Sequence, residues 1–390
     1  MVTVHAVLWW NAREGLRAGN QDFTAFYTAG TMISRGEGAQ LYDGGLQYQT
    51  QREFAPQIGI SRPLRYIHPP VEAVIFVPLA HLPYFQAYLV WVLLNLIVLA
   101  PALLLLPPRH TGLRTQPVLL KLLAGLGFFP VFLALLQGQD ILLLLLLYAL
   151  AWSAMKRHSD FTAGCLLGLG LFRFHLVLPF LLVQALHRKW RLLGGSAAVA
   201  MLMVLLSAAV VGWKEAVAYP AYLLSLANHL GAGVNTPQHM PNLCGLLFAL
   251  LPSGPSHRLW LPLVAVCSLA ILWYTARLWR STGNDPVFSL RFSLAVIATL
   301  LASYHAYDYD LSLALIPTLL LLDYLQAHPT PRSTKWLLLA PAFLLFLTPL
   351  HIVLIYRWKY ACLFSIVLLL WFWAIAREML RPRAISHAYQ

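Results

Sequence analysis

The run Ile141-Leu-Leu-Leu-Leu-Leu-Leu147-Tyr-Ala-Leu-Ala-Trp152 decides the fold class, because it contains no charged side chain and presents no polar face at any helical spacing. A helix that is apolar all round needs a solvent other than water. The stretches Leu261–Leu272 and Leu363–Trp373 repeat the pattern, and a bilayer core calls for about 20 such residues per crossing. Across the chain, 59% of the 390 residues are hydrophobic and 11% are charged, whereas soluble domains carry about a quarter charged. There is too little polar surface to cover a soluble globule, so the chain is read as an all-α, polytopic membrane protein forming one integral domain over 1–390.

The remaining composition excludes other classes. A net charge of +13 suggests nucleic acid in a soluble protein, but no Lys/Arg cluster interleaved with aromatics occurs in a polar segment. Cys165, Cys244, Cys267 and Cys362 are far apart and offer neither a CxxC pattern nor a disulfide framework. No phosphate-binding glycine loop of the nucleotide-binding kinds is present.

Spans are predicted at 84–106, 118–136, 139–155, 160–172, 174–187, 192–212, 259–276, 287–303, 309–325, 336–354 and 358–376. A short first helix brings the bundle to about 12 transmembrane helices. The stretch Val2–Trp10 is too short to cross by itself; either the first span continues through Arg13 and Glu14 or the sequence begins inside it. Every second loop is basic: Arg109 and Arg114; Lys156 and Arg157; Arg188, Lys189 and Arg191; Arg277, Arg280 and Arg291; Arg332 and Lys335; Arg377, Arg381 and Arg383. The positive-inside rule makes that side cytoplasmic. The prolines at 69, 70, 78 and 83 break His68–Pro83, which is laid in the interface as a helix that does not cross. The outer side then carries a first loop at 11–83 with interfacial helices, a second large loop at 213–257, and four short polar turns at 137–140, 173–175, 304–310 and 356–359. The arms 161–172 and 176–186 reach only about 18 Å each at 1.5 Å per residue. Their apex, Arg173-Phe174-His175, is therefore expected inside the outer leaflet, where an ionisable group must line a polar cavity or pair with a charge.

Two readings of Asp22 stand side by side. It can cap a helix running from Phe23, or act as a general base at the membrane surface. His305 can pair with Asp308 or Asp310 as readily as it can serve a site, and Asp310 suits the first turn of a helix.

Taken in order, Asp22-Phe23-x-x-Phe26-Tyr27-x-Ala29-Gly30, Leu41-Tyr42-Asp43, His68-Pro69-Pro70, Pro78-Leu79-Ala80-x-Leu82-Pro83, Gly138-Gln139-Asp140, Met240-Pro241-Asn242-Leu243, Ser303-Tyr304-His305 and Tyr309-Asp310-Leu311 make the chain resemble glycosyltransferase family 87 from about Asp22 to Leu315. The resemblance implies a GT-C-like bundle and an inverting enzyme of a bacterial inner membrane and cell envelope. Such an enzyme moves a hexose or pentose, mannose first, from a polyprenyl-phosphate-linked donor to a lipid or glycan acceptor on the extracytoplasmic face. It places the catalytic base at Asp22 and the donor phosphate at Arg173, His305 and His68, with Tyr27, Gln139, His175, Asn242, Asp308 and Asp310 as further pocket candidates. Two departures stand out: Arg173 replaces the family's hairpin lysine, and Tyr304 replaces the proline of a Ser-Pro-His pattern. Membrane lipids are the implied surroundings and nucleic acid is not a partner; oligomeric state is unassigned. No cofactor is implied, and the outer carboxylates Asp22, Glu37, Asp43, Glu53 and Glu72 show no spacing specific for a metal, which leaves a divalent cation open. The rival reading is a lipid-linked sugar transporter or flippase, which predicts repeats in the two halves; none is evident. The enzyme reading requires Asp22, Arg173 and His305 to meet at one lipid-accessible pocket; a separation of more than about 15 Å with no cavity joining them, too far for one sugar phosphate, defeats it.

Overall fold

A computed structural model describes residues 1–56, 64–106, 117–227, 237–251, 259–279 and 287–381. Arg109, Arg114, Arg280 and Arg383 of the basic loops lie outside them, as do parts of the 11–83 and 213–257 segments. Among the described residues all regular structure is helical. In chain order the helices are α1 (Val2–Arg17), α2 (Phe23–Ser34), α3 (Gly44–Phe54), α4 (Pro70–Phe76), α5 (Tyr84–Leu105), α6 (Val118–Leu126), α7 (Phe129–Gln137), α8 (Ile141–Lys156), α9 (Asp160–Leu169), α10 (Phe174–Leu186), α11 (Trp190–Val211), α12 (Trp213–Ala227), α13 (Leu243–Leu250), α14 (Trp260–Leu278), α15 (Phe288–Ala302), α16 (Leu315–Ala327), α17 (Arg332–Phe346), α18 (Thr348–Ile352) and α19 (Phe364–Leu380). A 3-10 turn over Asp308–Ala314 leads directly into α16.

This is a multi-pass membrane protein. Among the described residues six helical stretches are long and apolar enough to cross a bilayer, and up to eight if each of two bent pairs counts as one span. The expected figure of about 12 counted shorter pieces separately: α8 and α15 are apolar but only 16 and 15 residues long. The first helix runs through Arg13 and Glu14 to Arg17, so the first connecting segment begins beyond 17 instead of at 11. Leu93, Ile97, Val204, Leu205, Val266, Leu269, Phe343 and Leu370 are exposed, which in a bilayer is the lipid-facing surface.

The stretch Asp160–Leu186 passes as one 27-residue span by length and composition, yet a straight helix of that length would measure about 40 Å. Its ends meet instead. Lys189 Nζ lies 3.3 Å from Asp160 Oδ2, and α11 runs beside α9 so closely that a Cβ on Gly164 would strike the Leu192 carbonyl and one on Gly195 the Phe161 carbonyl. The segment is therefore a hairpin that returns to its starting level, bent at a 3-10 turn over Gly170–Arg173. Arg173 sits at the bend, at the end of the hairpin away from Lys189.

The bent pairs are α6–α7, at 80°, and α17–α18, at 62°. His5 of α1 joins both bends: its Nδ1 is 2.8 Å from the Leu126 carbonyl and its Nε2 is 2.7 Å from Thr348 Oγ1. Its ring stacks on Phe132.

The segment before the first long span folds as short helices, and α4 is too short to cross. It packs against protein on two sides: Gly30 of α2 touches the Phe76 backbone, and Val71 N donates to Ser207 Oγ of α11. Phe23, Phe26, Tyr27, Tyr66, Phe76, Tyr84, Tyr88 and Trp91 form a buried aromatic core there.

Candidate active site

The turn between α7 and α8 sets the site. Gly138 adopts φ +66°, and a Cβ at that position would lie 2.6 Å from Phe23 Cβ; the left-handed conformation and the close approach both require glycine. Tyr88 Oη donates to the Leu135 and Leu136 carbonyls and Trp91 Nε1 to the Gly138 carbonyl, satisfying acceptors left over at the end of α7. The contact between Gly138 and Phe23 brings the neighbouring residues Asp22 and Gln139 together. Asp22 N donates to Gln137 Oε1 at 3.3 Å, and Gln139 Nε2 donates to Asp22 Oδ2 at 2.7 Å.

Asp22 occupies the N-cap position of α2, but its side chain makes no capping bond. Its carboxylate is aimed instead at Gln139. Burial raises its pKa above the usual aspartate value, offset in part by the Gln139 hydrogen bond and the Arg173 charge. A carboxylate of raised basicity has the property a general base needs.

Arg173 reaches down from the hairpin bend to the same turn. Its Nε donates to Asp140 Oδ1, its Nη1 to Asp310 Oδ1 at 2.7 Å, and its Nη2 to Gln139 Oε1. All three partners are buried, and Tyr309 lies over the guanidinium. One guanidinium thus ties together the α9–α10 bend, the α7–α8 turn and the 3-10 turn ahead of α16, which uses its fork geometry in a way an ammonium does not. Gln139 links Asp22 directly to Arg173.

Arg173 also borders a cavity of about 70 Å³, lined with it by His68, His175, Tyr219, Tyr304 and His305 among others. His175 and His305 face each other with ring centroids 5.7 Å apart, and His175 Nε2 has no hydrogen-bond partner among the described residues. Burial, reinforced by the Arg173 charge, pushes His305 down to about 4, and burial pushes His68 down to about 3. Both imidazoles are neutral near pH 7 and act as hydrogen-bonding groups, not as cations. A larger cavity of about 690 Å³ lies at Arg377, Glu378 and Arg381, but it holds no comparable cluster of carboxylates and imidazoles.

The structure gathers Asp22, Gln139, Arg173 and Asp310 into one network and His68, His175 and His305 around the adjoining cavity. Asp310 also accepts from Tyr307 N at 2.8 Å, so it closes its own helical turn while pairing with Arg173. Neither Asp308 nor Asp310 pairs with His305. Asp22, Gln139 and Asp310 belong to the network and do not line the cavity, and three further candidates stand apart from both: Tyr27 donates to the Leu82 carbonyl within the aromatic core, Asp308 is buried beside Asp310 without lining the cavity, and Asn242 caps α13 through Gly245 N and donates to the Ser303 carbonyl. Asn235 of the same polar loop lies outside the described residues.

Two residues escaped the reading of the sequence. Asp140 stood in the quoted turn but is the closest carboxylate to Arg173. Glu72, buried, sits one helical turn after His68, with its Oε2 2.9 Å from His68 Nδ1; the His-Pro-Pro-x-Glu spacing was the available signal. Burial and the neighbouring Asp140 charge raise Glu72 well above the usual carboxylate range. Burial acts to raise Asp140 too, but Arg173 and the other neighbours outweigh it and hold the group below its usual value.

No curated protein and no solved structure shows significant similarity to the chain. The sequence model of glycosyltransferase family 87 does match, over residues 66–303. The matched region contains His68, Glu72, Gln139, Asp140 and Arg173 and stops short of His305 and Asp310, while Asp22 precedes it. With more than half of its length matched and its polar centre built largely from the matched segment, the chain belongs to glycosyltransferase family 87.

Proposed function

We propose that this membrane glycosyltransferase takes mannose from a polyprenyl-phosphate donor and passes it, with inversion, to a hydroxyl of a lipid or glycan acceptor on the extracytoplasmic face of a bacterial inner membrane, within a GT-C-like bundle. The observation that carries the reading is the Asp22–Gln139–Arg173 chain of hydrogen bonds, which sets a half-buried carboxylate of raised pKa one side chain away from a buried cation. Asp22 takes the proton of the acceptor hydroxyl as its oxygen attacks the anomeric carbon. The bond from that carbon to the phosphate oxygen breaks, and its electron pair leaves with the polyprenyl phosphate. The leaving group is already acidic, so no protonated acid is required; what it needs is positive charge and hydrogen-bond donors where negative charge grows. Arg173, His305 and His68 border that position. The phosphate takes the cavity that Arg173, His305 and His68 line, and the sugar extends from it toward Asp22. The site lies at the end of α8 opposite Lys156 and Arg157, which supports an extracytoplasmic placement.

Two measurements test this. Asp22→Asn and Asp22→Ala lower transfer by about 10²–10⁴-fold while leaving membrane insertion and monodispersity intact; wild-type activity in both removes Asp22 from the mechanism. Membranes supplied with nucleotide sugar alone, with synthesis of polyprenyl-phosphate sugar blocked, form no product, and robust transfer there refutes the lipid donor.

A further inference from the structure

We propose that His68, Glu72 and Asp140 form a divalent-cation site that supplies the positive charge met by a phosphate group in the adjoining cavity. The second half of this statement rests on the phosphate-linked donor proposed above; the first half stands on geometry alone.

One ligand atom from each of the three residues lies within 4.8 Å of the others. Metal–oxygen bonds of about 2.0–2.6 Å place opposite ligands of one ion about 4–5 Å apart, so one ion can reach all three. Within the cluster the ligand atoms meet one another, Glu72 Oε2 lying 2.9 Å from His68 Nδ1 and the Glu72 carboxyl beside that of Asp140; outside it they have no other occupation among the described residues. Both carboxyl oxygens of Glu72 and Oδ2 of Asp140 have no hydrogen-bond partner among the described residues, in side chains only 1% and 3% exposed. Buried carboxylate oxygens are ordinarily paired or bound to metal.

The presentation is fixed from several sides. Pro69 and Pro70 start α4, which sets Glu72 one turn beyond His68; the Gly138 turn sets Asp140. Arg173 engages Oδ1 of Asp140 and so leaves Oδ2 as the free atom, an outer partner orienting a ligand. Tyr42 Oη donates to the His68 carbonyl at 2.8 Å, which fixes the imidazole end.

Charge supplies the independent argument. Arg173 is already committed to Asp140, Asp310 and Gln139, with Asp22 and Glu72 close by, so carboxyl groups outnumber the one guanidinium. A phosphate brought into that neighbourhood meets an acidic centre unless a further cation is present. One imidazole nitrogen and two carboxylate oxygens suit a mixed nitrogen–oxygen metal such as Mn²⁺ or Zn²⁺, and three protein ligands leave positions open for phosphate oxygens. His68 lines the cavity, which puts the site at its wall.

The test uses the purified full chain in detergent, stripped with chelator and titrated with Mn²⁺, with bound metal read by electron paramagnetic resonance and elemental analysis. One ion per chain is expected. Glu72→Gln should weaken it by more than the roughly 10–100-fold that outer-partner changes cost, and His68→Ala gives the same loss should Glu72→Gln fail to purify in folded form. Glu53→Gln, at the exposed pair with Arg35, leaves binding unchanged. A wild-type chain that takes up no stoichiometric Mn²⁺ or Zn²⁺, or a Glu72→Gln chain that binds like wild type, overturns the site. Stoichiometric binding without sugar transfer upholds the cation site and defeats the donor reading; transfer that persists in chelator without bound metal does the reverse.

Discussion

Replacing Arg173 with Met keeps the length of the side chain and removes the only guanidinium among the described residues that touches Asp140, Gln139 and Asp310. The side chains of Arg173, Asp140 and Asp310 are 3%, 3% and 1% exposed, so solvent does not screen the two carboxylates left behind. Breaking a buried pair from one side costs about 3–5 kcal/mol, a large part of a total stability of about 5–15 kcal/mol. At roughly 2 °C per kcal/mol for a large domain, the unfolding midpoint drops by about 6–10 °C. The assay is fluorescence-detected size exclusion of the heated, detergent-solubilised protein. Asp310→Asn placed on top of Arg173→Met removes one stranded charge and recovers part of the loss, whereas on the wild-type background it destabilises. Arg173→Lys falls between, because an ammonium restores the charge but cannot span three partners. If Arg173→Met melts at the wild-type temperature, or Asp310→Asn lowers the midpoint further in its presence, the guanidinium does not neutralise these carboxylates and the reasoning fails.

Three more outcomes follow from the same geometry. The base proposed, Asp22, is active in its charged form and burial holds its pKa up, so the rate is expected to fall on acidification at a higher pH than an exposed aspartate would give; Gln139→Leu removes a donor that favours the anion and moves that acid limb further up, and a downward move counts against Asp22. Gly138→Ala forces an alanine into a left-handed conformation, at about 1–2 kcal/mol, and drives its Cβ into Phe23, so both the melting midpoint and the transfer rate drop; wild-type values in both would show that the turn does not position Asp22. Arg35→Ala breaks only the exposed pair with Glu53 and changes stability by less than about 1 kcal/mol, which thermal unfolding can check.

Charge patterning and apolar runs made the fold class legible, since Lys156, Arg188, Lys189, Arg377 and Arg381 mark one end of the bundle without any knowledge of packing. The hairpin with Arg173 at its bend was readable because two short arms between basic loops cannot each cross a bilayer. The bends were not, because α6–α7 and α17–α18 break sharply within apolar sequence and hydropathy carries no angle. Asp22 and Arg173 were legible as isolated polar residues in apolar surroundings. Their link through Gln139 was not, as it depends on a left-handed glycine meeting Phe23 more than a hundred positions earlier in the chain. Glu72 was assigned to the outer surface because its helix looked interfacial; packing of that helix on α2 and α11 buries the carboxylate instead.

The imidazole of His5, shared between the Leu126 carbonyl and the Thr348 hydroxyl, turns two separate bends into one hinge pin. Straightening either α6–α7 or α17–α18 alone strips the ring of a partner in a place where water does not replace it, at a penalty of about 1–3 kcal/mol. Any widening of the bundle between these elements must therefore move both kinked segments in step, with the first helix travelling along.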